Sequence, residues 1–209
     1  MLIFLDFDDV LFNTKEFKDD YFKIFEAEGI SREVFDKFYY TFSGGVKVAK
    51  YYPQKHLDRI FGEDNPVRPD FEKKISEFVS NTEKYIFKDV KNFLENFSSD
   101  KLCVLSFSKT DFQKSKIMNS GIAEYFSQIE ITNQLKGGAM AEILKNKKAD
   151  KIYFVDDRAE HIKDAKIKND GIATILLKRK EGRYDDEKNQ YCDFEAHNLE
   201  EVLKIIKSK

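Results

Sequence analysis

Three acids crowd together near the start of the chain: Asp6, Asp8 and Asp9, in the run Leu5-Asp6-Phe7-Asp8-Asp9-Val10. A second pair, Asp156-Asp157, directly follows the apolar run Ile152-Tyr153-Phe154-Val155. Carboxylates can attack as nucleophiles, pass protons or hold hard cations such as magnesium. Brought close in space, they repel strongly unless a cation lies between them. The chemistry to consider first is therefore metal-assisted transfer of an anionic group. Two further side chains suit it. Ser106 follows the apolar run Leu102–Leu105 and has a hydroxyl able to donate to a phosphate oxygen. Lys136 has an ammonium able to neutralise phosphate charge. Each signal is weak alone. An acidic loop after a strand looks the same as the first cluster, and one of Asp156 and Asp157 could simply cap the following helix.

The elements that would position these residues are legible from periodicity. Leu2–Leu5, Leu102–Leu105, Ile152–Val155 and Ile172–Leu177 are continuous apolar runs, as expected of strands buried on both faces of a parallel sheet. Gln128–Ile131 is a weaker candidate. Helical patterns lie between most of them. Thr110-Asp111-Phe112-Gln113 reads as a capping box before a helix to Met118, with Gly121 as its stop. Ala139, Ile143 and Leu144 mark a second helix, and Glu160 to Lys168 a third. Asn198, with Glu201 three residues on, caps the last. Strands alternating with helices predict an α/β fold with a mainly parallel sheet, and ligands in such sheets bind beyond the carboxyl ends of the strands. Residues 14 to about 97 interrupt the alternation and read as all helix. Their aromatic stripes include Phe17, Tyr21 and Phe25, then Val34, Phe35, Phe38, Tyr39 and Phe42, then Phe71, Ile75 and Phe78. Such stripes are expected to pack rather than to touch a ligand. Ser43-Gly44-Gly45 and Asn65-Pro66 break the segment.

In this order and context, the four polar elements strongly resemble the haloacid dehalogenase superfamily. Asp6-Phe7-Asp8-Asp9-Val10 is similar to its first motif, Ser106 to its second, Lys136 to its third and Asp156-Asp157 to its fourth. Lys145, Lys147 and Lys148 are alternatives for the third. The resemblance implies a Rossmann-like catalytic core over residues 1–13 and 98–209, with an inserted helical cap over 14–97 whose C-terminal part, around Val90 to Phe97, packs as a core helix. It implies a magnesium-dependent phosphatase acting on a small phosphorylated metabolite. Asp6 would form an aspartyl-phosphate, and Asp8 would act as acid and then base, which needs a raised pKa or a proton gained with substrate. Ser106 and Lys136 would hold phosphate, and Asp6, Asp8 (through its backbone carbonyl), Asp156 and Asp157 would serve the metal. A phosphomutase shares the motifs, while a phosphorylated receiver or an inactive binding module fits them less well. Asp8 speaks against carbon–halogen chemistry, because dehalogenases generally lack it. Two departures stand out: Asp9 replaces the usual glycine, and His161 stands where many members carry a third acid.

Composition excludes other classes. Charged residues make up 35%, and the formal net charge is -2 with both signs mixed along the chain, so no basic stripe invites nucleic acid. Cys103 and Cys192 give neither a disulfide framework nor a metal spacing. The apolar N-terminus reaches acid at Asp6, too soon for a signal peptide, and no run approaches the ~20 apolar residues of a membrane span. The expected setting is the reducing cytoplasm. Substrate specificity would sit in the cap, where Tyr39, Tyr40 and Ser43-Gly44-Gly45 are polar enough to contribute. The basic stretch Lys178 to Tyr184 reads as an exposed loop.

Overall fold

The apolar runs assemble into one sheet. In a computed structural model, which describes residues 1–39, 41–43, 46–48, 51–62, 68–108 and 110–208, six parallel strands lie in the order β5-β4-β1-β6-β7-β8. They are β1 (Leu2–Leu5), β4 (Leu102–Phe107), β5 (Gln128–Thr132), β6 (Ile152–Asp156), β7 (Ile172–Leu177) and β8 (Phe194–Ala196). β1 is central: Leu5 pairs with Val104 on one side and Val155 on the other. Asp6 continues this register, with its N–H donating to the Val155 carbonyl at 3.0 Å. Two first-strand carboxylates and the acids ending β6 are thereby brought to one edge of the sheet.

Side chains alternate between faces. Leu2 and Phe4 join Cys103, Leu105, Phe154, Ile172 and Leu176 on one face, covered by Met140 and Ile143 of α7 (Lys136–Asn146) and Ile162 and Ala165 of α8 (Ala159–Lys168). Ile3 and Leu5 join Val104, Val155 and Ile175 on the other, against Val90, Phe93 and Leu94 of α5 (Val90–Leu94) and Leu199, Val202 and Ile206 of α9 (Leu199–Lys207). Helices on both faces of a parallel sheet define an α/β, Rossmann-like core. The cap expected as a unit ending near residue 97 thus includes, in α5, a helix packed on α9.

The interrupting segment contributes α1 (Thr14–Glu26), α2 (Arg32–Tyr39), α3 (Pro53–Phe61) and α4 (Arg68–Val79). It is not all helix: β2 (Thr41–Ser43) and β3 (Val46–Val48) pair antiparallel, so Phe42 belongs to a strand and not to the preceding helical stripe. The β-branched Thr41, Val46 and Val48 suit strand backbone, which outweighs the short aromatic periodicity. Tyr40, Gly44, Gly45, Asn65 and Pro66 lie outside the described residues. The aromatic stripes do pack together. Phe25 lies 5.0 Å from Phe35 and 5.3 Å from Phe71 between ring centroids, and Phe17 lies 5.2 Å from Phe12 of the first loop. One apolar cluster therefore runs without a break from α1, α2 and α4 to the sheet face under α5 and α9. Among the described residues no helix is long and apolar enough to cross a membrane.

Candidate active site

Asp6, at the end of β1, is buried. Its Oδ1 accepts the N–H of Phe7 at 2.7 Å and meets Lys136 Nζ at 2.7 Å. Both contacts fall on one oxygen, so Oδ2 has no partner among the described residues. Lys136 is the first residue of α7 and is fully buried, with Asp156 Oδ2 on its other side at 2.7 Å. Gly137 makes this placement feasible: a Cβ there would collide with the backbone carbonyl of Asp164 in α8. The close approach also lets the Gly137 N–H donate to Asp164 Oδ2 at 2.7 Å.

Asp156 and Asp157 differ sharply. Asp156 has both oxygens engaged, by Lys136 and by the Arg158 N–H at 2.9 Å. Asp157 is buried with Oδ2 unpartnered. Burial, followed by repulsion from Asp156 and Asp6, pushes its carboxyl well above the usual range. Burial also raises Asp6; Lys136 opposes this, while Asp156 and Asp8 add to it. Asp6, Asp156 and Asp157 each offer a carboxylate oxygen within 4.8 Å of the others. Crowded hard oxygen donors, one of them an orphaned buried atom, fit a hard divalent cation.

Asp8 faces elsewhere. Its Oδ1 accepts from Lys116 Nζ at 2.6 Å and from Thr14 Oγ1 at 2.8 Å, and its Oδ2 from Gln113 Nε2 at 2.9 Å. Burial would raise this carboxyl, but Lys116 and Arg183 outweigh it and bring it down to about 2. In this state Asp8 is a firmly held carboxylate, the opposite of the raised acid that proton donation calls for. Its side chain lies outside the three-carboxylate cluster, leaving the backbone carbonyl as its route to a metal. Ser106 lies inside β4, one residue short of its end at Phe107, and is fully buried. Its Oγ accepts from Gln113 Nε2 at 2.9 Å.

Sequence reasoning missed the residues around this floor. Lys116 and Gln113 belong to α6 (Asp111–Met118), one of the expected helices, but nothing in a helical pattern tells which polar residue turns inward. The stretch Lys178 to Tyr184 is a loop, exposed at Lys180, Glu181, Arg183 and Tyr184 as expected, but it is pinned to the core and Arg179 is buried. Arg179 is clamped by Asp89 at 2.9 and 3.1 Å and donates to the Val10 carbonyl at 2.9 Å. Arg183 Nε meets Asp9 Oδ2 at 2.5 Å, and Tyr184 carries the Arg158 guanidinium 4.1 Å above its ring. The buried Asp9 and the half-buried Asp89 hold the guanidinium groups of these arginines in place. Asp9 itself has φ +58, a left-handed backbone that glycine adopts freely and Asp tolerates. His161 is buried beside Phe107 with Nδ1 unpartnered. Burial, then Lys136, lowers its imidazole to about 4, so the ring is neutral at physiological pH.

Above the acids opens a cavity of about 470 Å³. Asp6, Asp8, Asp157, His161 and Arg183 form its polar end, and Tyr39, Tyr51, Phe112 and Leu135 its apolar wall. Tyr39 stacks on Tyr51 at 4.2 Å, and Tyr51 meets Phe112 edge-on at 5.0 Å. The Tyr51 hydroxyl is turned away, bonded to Tyr21 at 2.7 Å and to His56 Nδ1 at 2.8 Å. Tyr39 thus lies at the cavity, as a ring in a stacked wall.

No family model matches the chain, and no curated protein matches it. Solved structures do. A haloacid dehalogenase-like hydrolase from Burkholderia xenovorans LB400 superposes with a TM-score of 0.73 at 16% identity, over 99% of this chain and 96% of that one. The HAD-hydrolase YfnB from Bacillus subtilis, bound to magnesium, gives 0.66 at 12% identity, over 98% and 97%. The L-2-haloacid dehalogenase of Xanthobacter autotrophicus gives 0.64 at 12%, over 100% and 99%. The likeness spans both the core and the inserted segment. The chain has the fold of the haloacid dehalogenase-like hydrolases, with its sheet, helices and cap.

Proposed function

We propose that this chain is a hydrolase of the haloacid dehalogenase superfamily, and within it a magnesium-dependent phosphomonoesterase acting on a small phosphorylated metabolite. The observation that carries the reading is a buried three-acid cluster at the end of the central strand, in which Asp157 Oδ2 is unpartnered and the contacts of Asp6 fall on its Oδ1 alone. A nucleophile and a metal ligand both need an oxygen that the protein has not used. Asp6 and Asp157, with the Asp8 carbonyl, would hold magnesium, whose charge lets an anionic carboxylate approach an anionic phosphate. Asp156 is better suited to fixing Lys136 than to direct ligation, since both its oxygens are taken.

The steps then follow from the residues. Asp6 attacks phosphorus while the bond to the leaving oxygen breaks, giving an aspartyl-phosphate. Asp8 gives the leaving oxygen its proton. Because Lys116 and Arg183 keep Asp8 ionised beforehand, that proton arrives with the substrate: a phosphate monoester has its second pKa near ~6 and brings protonated molecules to the site at neutral pH. Asp8 later takes a proton from the water that cleaves the intermediate. Lys136 and Ser106 lie in the floor and steady Asp6 and the strand ends; contact with phosphate by either requires it to leave part of its present bonding.

The apolar wall supports a leaving group with a flat or apolar portion. Beside that wall, the hydroxyl of Tyr51, the amide of Gln113 and the hydroxyl of Thr14 are already bonded within the protein. Phosphate release from benzyl phosphate and glucose 6-phosphate, both primary alkyl esters, tests both parts. Magnesium-dependent release, with benzyl phosphate favoured by about tenfold in kcat/KM, is expected from one stacked ring worth ~1 kcal/mol plus its buried area. Full activity after exhaustive chelation, or phosphate moved within a sugar phosphate and not released, would defeat the phosphatase reading. Halide release from a 2-haloacid would favour the dehalogenases among the structural neighbours.

A further inference from the structure

We propose that Arg183 contacts the transferred phosphoryl group, and that Asp9 is a positioning residue which holds Arg183 there. The inference rests on the phosphatase reading and adds to it a cation from outside the four motifs.

Asp9 is an awkward residue for its position. The backbone is left-handed at φ +58, which glycine would accept without strain. The side chain is fully buried, and Oδ1 has no partner. A glycine here would relieve the backbone and remove the orphaned oxygen. What the carboxylate does provide is one contact, Oδ2 to Arg183 Nε at 2.5 Å.

That contact fixes the end of a long strap. Between β7 and β8 the chain has no regular structure, yet it is pinned along the rim of the site. Arg179 is held by Asp89, Arg183 by Asp9, and Asp186 accepts from Arg158 Nε at 3.2 Å and from the Ala159 N–H at 2.8 Å. The pins bring the Arg183 side chain, about one-third exposed, into the cavity shared by Asp6, Asp8 and Asp157. Its Nε is taken, while its Nη groups make no hydrogen bond among the described residues.

The other cations of the site are more fully occupied. Lys136 bridges two carboxylates, Lys116 meets Asp8 and the Gln113 side-chain oxygen, and Arg158 meets Asp186 and Glu160. An anionic phosphate group entering this acid-lined end needs a donor whose fork is still open. A guanidinium held through Nε presents its remaining N–H groups as a planar edge, the geometry that suits phosphate oxygens. Holding one edge on Asp9 limits the orientations to be lost on binding.

The test uses the full chain with magnesium and measures kcat, KM and inhibition by orthovanadate, a mimic of the phosphoryl group without a leaving group. Arg183→Gln, in protein that is still folded, should lower kcat/KM for benzyl phosphate about 100-fold and weaken vanadate at least tenfold. Asp9→Gly should weaken vanadate about tenfold in the parent and less than twofold in the Arg183→Gln background, because it acts through the arginine. Should Arg183→Gln lose its fold, Arg183→Lys keeps a charge for Asp9 and should still weaken vanadate tenfold. Vanadate inhibition within twofold of the parent in folded Arg183 variants, or an Asp9→Gly effect of equal size in both backgrounds, overturns the assignment. An unmutated protein that releases no phosphate from any donor instead sinks the phosphatase reading on which the assignment rests.

Discussion

The floor of the site and the aromatic wall above it are built by opposite means. The floor is polar and buried, held by ion pairs among Asp6, Lys136 and Asp156 at 2.7 Å. The wall is a set of rings, Tyr21, Phe35, Tyr39, Tyr51 and Phe112, joined by stacking and edge contacts, with one neutral histidine among them. Removing one member of a buried charge network leaves the others uncompensated, so the floor should fail all at once. A stacked wall loses one contact at a time. The floor therefore fixes geometry and the wall can vary in shape; under the proposed function the first would set the chemistry and the second would choose the leaving group.

Lys136→Met tests the floor most severely. It strands two buried carboxylates and should cost about 3–5 kcal/mol in denaturant unfolding, with turnover lost. A loss below about 1 kcal/mol would show that the floor is no more cooperative than the wall.

Acid should next weaken the wall through His56. Its Nε2–H donates to the Phe35 carbonyl at 3.0 Å, and Nδ1 accepts from Tyr51. Burial lowers its pKa to about 4, against ~6.5 in an unfolded chain. Between these values the unfolded chain binds the extra proton, so stability rises with pH there. The contribution is whole above pH ~6.5 and is lost as pH falls towards about 4, on the order of 3 kcal/mol at most. Thermal midpoints from pH 7 to 4 should fall more steeply in the parent than in His56→Gln; parallel curves would contradict this.

Asp157→Asn sharpens the comparison from the other side. Removing an unpartnered buried charge should stabilise the metal-free protein by roughly 1–2 kcal/mol. It should also abolish the magnesium-dependent gain, about 2.7 kcal/mol for the parent at a hundredfold excess over Kd. Both are read by calorimetry with and without magnesium, and a mutant that keeps the magnesium-dependent shift would move the metal away from Asp157.

Tyr51→Phe should have the smallest effect. It leaves His56 Nδ1 and the Tyr21 hydroxyl without their shared partner, at about 1–2 kcal/mol in unfolding. Such a loss confined to the two hydrogen bonds of one hydroxyl, with turnover retained, is what a wall of separate rings predicts.

The same contrast explains what could be read from the residue string. β1 and β7 lie where their apolar runs place them, because a strand buried on both faces has no room for polar interruptions. The acids at the ends of β1 and β6 were legible because strand ends are sequence features. The hairpin β2–β3 was not, since three-residue strands carry too little pattern to outweigh neighbouring helical stripes. Arg183 and Tyr184 were hidden for a different reason. Their position depends on Asp9, reached across nearly the whole chain, and no local periodicity records a partner that far away. Gln113 and Lys116 fall between these cases: their helix was visible, but its inward face depends on where Asp8 lies.

β1 precedes the other strands of its sheet along the chain yet sits in the middle of that sheet, flanked by β4 and β6. During synthesis its two edges stay open until residues 102–107 and then 152–156 emerge. The aromatic segment that follows β1 is exposed to the same delay, since its cluster is closed by β4, β7 and α9. Pairings of such long sequence separation form slowly and leave sticky intermediates while they wait. A truncated chain released before residue 157 would therefore carry Asp6 but neither a closed sheet nor Asp157 beside it. Ribosome stalling in the second half should produce aggregates and not partial catalysts.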